Sequence, residues 1–156
     1  MESIPQVEAA KILMTEAVSW SVMKWLREKK RVRKTADQAN AALDQLNQSV
    51  KERWPDALRA AYKALVTQGA DNATTPGQPA PTSPAIDPQS SLSAKKVKEA
   101  DDAAYRARMD AEETFDEAER QLSTRLAREG CRKAIQSWEL HEKAIRKGEA
   151  LVPSKQ

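Results

Sequence analysis

Three groups of residues could do chemistry: one histidine with one cysteine, a basic run, and an acidic run. His141 and Cys131 are each the only residue of their type in the 156-residue chain. A histidine–carboxylate metal site in a helical bundle needs Glu-x-x-His on each of two helices. Here Glu139 stands two residues before His141, and no second histidine exists. A zinc site built from Cys131 and His141 would be two ligands short of the usual four. Arg128 and Arg132 could lower the Cys131 pKa, but no base stands near it in sequence, so a small buried residue is the reading. His141 is read as a structural or surface residue. No glycine-rich phosphate loop occurs. Glu112, Glu113, Asp116 and Glu117 share a helix face, yet calcium loops turn on a glycine that is absent here, so they read as a solvated face. No catalytic residue, metal ligand or cofactor is expected, nor a small-molecule substrate, and the chain reads as a non-enzyme.

The charge pattern carries more information. Net charge is +3, but Lys24 to Lys34 holds seven cations against Glu28 alone, and Glu99 to Glu119 holds nine acids against Arg106 and Arg108. The candidate anion-binding residues are Lys24, Arg27, Lys29, Lys30, Arg31, Arg33 and Lys34, with a second set at Arg125, Arg128, Arg132 and Lys133. Such runs could meet an acidic membrane surface or a nucleic-acid backbone. They could equally be solvated faces that pair with acids of a sister chain. No helix-turn-helix or other base-reading motif is evident, which argues against sequence-specific DNA recognition.

The elements that must position these groups are helices. Helix-forming residues dominate, there are four glycines, and only seven aromatics. One stretch, Gly69 to Ser93, contains five of the eight prolines and two of the four glycines. It divides the chain into a first helical arm (1–68, with a kink or restart at 54–56), a Pro/Ser/Thr-rich linker (69–93), a second arm (94–148) and a tail (149–156). Its Pro76-x-x-Pro79 and Pro81-x-x-Pro84 spacings suit polyproline II but read as a spacer. Ser3, Pro5 and Glu8 suit a helix start. Val18, Val22, Trp25, Val32, Ala36, Ala39, Leu43, Leu46 and Val50 follow alternating three- and four-residue steps, a bundle or coiled-coil seam. Gly69 is expected to end the first arm and Ser93 to cap the second. Val97, Ala100, Ala104, Ala107, Ala111, Phe115, Ala118, Leu122 and Leu126 form the second arm's face, a kink is allowed at Gly130, and Cys131, Ala134, Ile135, Trp138, His141 and Ile145 resume the face up to a stop at Gly148. Ile12, Leu13, Trp20, Met23, Trp25 and Trp138 are candidate partner-interface residues, because the start of the first arm is apolar on more than one face.

The expected fold is all-α: an elongated antiparallel helical hairpin or coiled-coil-like bundle with a long connector. A simple hairpin with Trp20 near Trp138 puts residue 29 opposite about residue 129, joins the two basic clusters, and leaves the acidic stretch beside Ala39 to Arg59 with few cations. The chain would then need an outside anion or a second chain. The expected function is a non-catalytic helical interaction protein, a structural or adaptor subunit with a protein partner or self-association. The alternative is a peripheral anion binder. A single cysteine and the absence of a secretory signal or apolar span point to a cytoplasmic location.

Overall fold

The computed structural model of the chain describes residues 4–70 and 88–153. Among them the fold is all-α, with α1 (Pro5–Ala17), α2 (Val22–Glu52), α3 (Asp56–Ala70), α4 (Pro88–Gln121) and α5 (Thr124–Glu149). Pro5 opens α1, where its missing N–H costs nothing, and Glu8 sits in the positively polarised first turn. Ile4 occupies the capping position; Ser3 lies outside the described residues. α1 stops at Ala17, although the sequence predicts an arm free of breaks as far as Trp54. Serine does what glycine or proline would do. The Ser21 hydroxyl accepts the Lys24 N–H at 3.2 Å and starts α2 afresh. The turn also buries Trp20, whose ring centroid lies 6.1 Å from that of Trp25.

Gly69 stands inside α3 rather than ending it, and α4 starts at Pro88, so Ser93 lies within a helix. Residues 71–87, with both Pro-x-x-Pro spacings, lie outside the described residues. The second arm breaks at Leu122–Ser123, not at Gly130. The Ser123 N–H reaches back to the Ala118 carbonyl at 2.9 Å and the Leu122 N–H to the Glu119 carbonyl at 3.3 Å. This is a Schellman ending, with Leu122 at the left-handed position (φ 52°) that glycine usually takes. Ser123 then caps α5 by accepting the Leu126 N–H at 3.2 Å.

α5 is the packing axis, touching α1, α2 and α4, while α1 packs on α2 and α3 on α4. Each predicted arm is therefore folded on itself. The Trp138 indole donates to Asn40 Oδ1 at 2.9 Å and the Trp54 indole to the Gly148 carbonyl at 2.7 Å, so α2 and α5 run the same way. Arg33–Asp116 and Arg108–Asp44 show that α4 runs opposite to α2. Lys11 bonds Glu142 and Arg128 bonds the Trp20 carbonyl, so α1 opposes α5. The predicted Trp20–Trp138 proximity is thus replaced by Trp20–Arg128 and Trp138–Asn40, because the turn at Leu122–Ser123 brings α5 back alongside α2.

The core follows the predicted seam from Trp25 through Val32, Ala36, Ala39, Leu43 and Val50, and meets Phe115, Cys131, Ala134, Trp138 and Ile145. Burying an aromatic such as Trp138 contributes about 3 kcal/mol. Gly130 lies where a Cβ would come 2.9 Å from the Phe115 ring, so its bareness sets how closely α4 and α5 approach. A smaller cluster of Trp54, Leu58, Ala61, Ala94 and Val97 ties α3 to α4, and Leu151 and Val152 pack onto it. Two predicted seam positions depart from the pattern: Val22 is 53% exposed and Leu122 82%. Both sit at helix ends, where no neighbouring helix continues to cover them.

Candidate interaction surface

Because α2 and α5 run in parallel, their N-termini lie at the same end of the bundle, together with the α1–α2 turn and the C-terminus of α4. This end is the tip. It carries Val22, Met23, Leu26 and Leu122, all large, apolar and exposed. A groove of about 170 Å³ opens between Val22, Leu26 and Leu122, floored by Trp25, Phe115 and Ala118 and flanked by Lys29, Arg33 and Glu119. Leu122 is the most exposed large apolar residue among the described residues. It also holds a backbone conformation that costs a non-glycine residue about 1–2 kcal/mol.

From the tip, a cleft runs between α2 and α4. Val22, Leu26, Lys29, Lys30 and Arg33 fall on one side of α2 by their spacing, and three of the five are cations. Tyr105, Met109, Glu112, Glu113 and Asp116 repeat the same spacing on α4, with acids replacing the cations. The two lips meet where Arg33 donates to Asp116 at 3.1 Å. Further along, Arg108 grips Asp44 with two bonds of 2.8 and 3.0 Å. Lys133 of α5 reaches Asp110 at 3.1 Å. The expectation that the acidic stretch faces few cations is corrected here: it meets Arg33, Lys51 and Lys133, because the register of α4 on α2 is shifted from the simple hairpin and the folded-back α5 lies alongside α4.

At the far end a polar network fixes the register of α2, α3 and α4. Asp101 accepts from Lys51 at 2.5 Å, from the Tyr62 hydroxyl at 2.6 Å and from Asn47 at 3.1 Å. Burial, then the bond to Asp101, holds the Tyr62 hydroxyl far above its ordinary pKa. Beside it an open groove of about 410 Å³ runs between α2 and α3. His141 is 6% exposed, with its Nε2 buried and without a hydrogen-bond partner. Burial first, and the Arg108 charge second, lower its pKa to about 4, so the ring is neutral at pH 7. Cys131 is fully buried and burial pushes its pKa up to about 12, which keeps it a thiol rather than a nucleophilic thiolate.

The candidate partner-interface residues divide. Ile12 and Met23 are exposed, at 61% and 69%. Leu13, Trp20, Trp25 and Trp138 lie in the core, so the chain itself covers the apolar surface that suggested a partner. Among the candidate anion-binding residues, Arg33, Arg128 and Lys133 are engaged with Asp116, the Trp20 carbonyl, and Asp110 with Thr114. Arg31 pairs with Glu28, and Lys24 lies 5.2 Å over the Trp20 ring. Lys30, Lys34, Arg27, Arg125 and Arg132 remain exposed, and Lys29 is half-buried. Among the described residues no group of acids, histidines and cysteines could hold a metal ion, and no helix is long and apolar enough to cross a membrane.

Sequence reasoning missed Val22 and Leu122 as surface residues, because each continues an apolar periodicity, whereas Leu26 lies off that stripe. The available signal was serine: Ser21 and Ser123 each stand three residues before a backbone N–H that they cap. The chain matches no protein-family model, and no curated protein and no solved structure is similar to it.

Proposed function

We propose that this chain is a non-catalytic helical interaction protein, a structural or adaptor subunit that works by protein–protein contact through its tip. The observation that carries this reading is Leu122, an exposed leucine in a left-handed backbone conformation beside Val22, Met23 and Leu26. An exposed apolar cluster rimmed by charge is the usual anatomy of a contact surface. The buried, protonated Cys131 and the neutral, enclosed His141 are suited to packing rather than to turnover. The test is native capture with the wild-type chain and with a Val22→Ser, Met23→Ser, Leu26→Gln, Leu122→Gly variant. A protein held by the wild type and lost by the folded variant supports the tip. Partners captured equally by both overturn it.

A second reading, docking on an anionic surface, is favoured by the parallel N-termini of α2 and α5, which bring Lys24–Lys34 and Arg125–Lys133 to one end. The ion pairs from α4 count against it, since they already occupy Arg33 and Lys133. Replacing Lys29, Lys30, Arg31 and Arg33 with Gln should abolish salt-sensitive binding to anionic vesicles or duplex DNA while helicity stays intact. A wild type that binds neither removes this reading.

A further inference from the structure

We infer that the groove between α2 and α4 at the tip holds an acidic amphipathic helix of a partner protein, a reading that rests on the protein-contact role proposed above and names the partner's chemistry. α2 and α4 each pack closely on α5 but not on one another. Long polar side chains bridge them instead, as in Arg33–Asp116 and Arg108–Asp44. At the tip their separation leaves the groove open. Its α2 wall is Val22, Trp25, Leu26, Lys29 and Arg33, one helix face by its steps of three and four. Its α4 wall is Phe115, Ala118, Glu119 and Leu122, spaced in the same way. Two helix faces with a gap between them form a seat into which the side-chain ridge of a third helix packs. From Val22 to Arg33 the wall runs about 16 Å at 1.5 Å per residue. That is about three turns, enough for a helix anchored at i, i+4 and i+7.

Charge selects which helix. Arg33 closes the inner end of the groove, 5.4 Å over the Phe115 ring and bonded to Asp116, so its charge is already answered. That of Lys29 is not. Lys29 is half-buried along the α2 wall, and among the described residues it makes no hydrogen bond or ion pair. Lys30 follows it, exposed and likewise unpaired. A lysine whose stem covers apolar surface beside a helix seam is placed to meet an acid on the flank of the packed helix. Partial burial also makes its unanswered charge more costly than an exposed one. On the opposite wall Glu119 is exposed, so water already serves it. The occupant is therefore apolar toward Trp25 and Phe115 and carries carboxylates toward Lys29 and Lys30. An anionic bilayer fits less well. Its surface would meet Met23, which protrudes outside the groove, and the acids Asp116 and Glu119 along with the cations, while the recessed floor stayed unfilled.

The experiment selects from a displayed library of helical peptides with fixed leucine anchors and randomised flanks, using the full chain as bait. Fluorescence anisotropy then measures the enriched peptides. Their flanks are expected to carry Asp or Glu, and their binding to weaken as salt rises. Leu26→Gln, at an exposed position of the groove wall, should cost about thirtyfold in affinity. Lys29→Glu should cost about tenfold, since it removes one ion pair and adds a like-charge contact. A peptide with its acids changed to Lys should regain affinity for the Lys29→Glu chain. Met23→Ser, outside the groove, should leave peptide binding unchanged, and circular dichroism checks that every variant remains helical. Failure to enrich any helix, enrichment indifferent to charge, or a Lys29→Glu chain that binds as the wild type does overturns the inference. Vesicles of phosphatidylserine and phosphatidylcholine bound by the wild type and released by Met23→Ser, with no peptide enriched, would assign the tip to a membrane instead. A native protein captured through the tip but not displaced by the acidic peptide would sink this inference alone and leave the contact role standing.

Discussion

Replacing Leu122 with glycine should make the protein more stable and its contacts weaker, two effects of opposite sign from one change. Leu122 has φ 52°, a conformation that costs an L-residue about 1–2 kcal/mol and glycine almost nothing. Its side chain is 82% exposed, so truncation gives up little buried apolar area. Glycine makes the unfolded chain more flexible, which takes back about 0.5–1 kcal/mol. The net gain is about 0.7 kcal/mol. With a slope of about 2 kcal/mol per molar urea, the unfolding midpoint should rise by about 0.3–0.4 M. Equilibrium urea unfolding followed by circular dichroism resolves such a shift, at a fixed low protein concentration so that association does not add to stability. Under the proposed role the same variant should lose partner capture. A midpoint that falls would show that Leu122 makes a stabilising contact within the chain. Unchanged capture would show that the strain serves no contact at the tip.

Three further outcomes follow from the interior. His141 has a folded-state pKa of about 4, below its ordinary 6.5, so the unfolded chain takes up the proton first as the pH falls. Its effect on stability is absent above about pH 6.5 and grows as a loss below it, to at most about 2 kcal/mol by pH 5. His141→Leu should therefore flatten the wild-type decline between pH 7 and 5, and a parallel decline in both proteins would refute the buried neutral ring. Gly130→Ala gains about 1 kcal/mol of helix propensity but drives a methyl into the Phe115 ring, 2.9 Å from its Cδ1. The expected net is a loss of about 1–2 kcal/mol in urea unfolding, and a stabilised variant would mean that α4 and α5 can part. Cys131 should resist a thiol reagent in the native state and react only on unfolding, because it is fully buried with its pKa pushed up to about 12. Rapid native labelling would contradict that packing.

How much of this was legible in sequence can be judged residue by residue. The seam from Trp25 to Val50 and the face from Cys131 to Ile145 were legible because burial on a helix repeats at a fixed period. The breaks at Val18–Ser21 and Leu122–Ser123 were not. Sequence punctuation by glycine and proline is only one way to end a helix; a capping serine and a leucine forced into a left-handed turn do the same when packing repays part of the cost. Ile12, Leu13, Trp20, Trp25 and Trp138 looked alike as apolar surplus. Only the fold separates Ile12, which faces outward, from Trp138, which is 1% exposed against α2.

By itself, the sequence determined an all-α chain, its periodic core stripes and the segregation of its charges, since all three are written in residue type and local spacing. The tertiary structure decided which charges meet. Asp44 and Arg108 lie 64 positions apart and Arg33 and Asp116 83 apart, and nothing local to either pair specifies the encounter. The turn at Leu122 sets it, by laying α5 parallel to α2 and α4 antiparallel. That one reversal turns a basic run and an acidic run into two lips of one cleft.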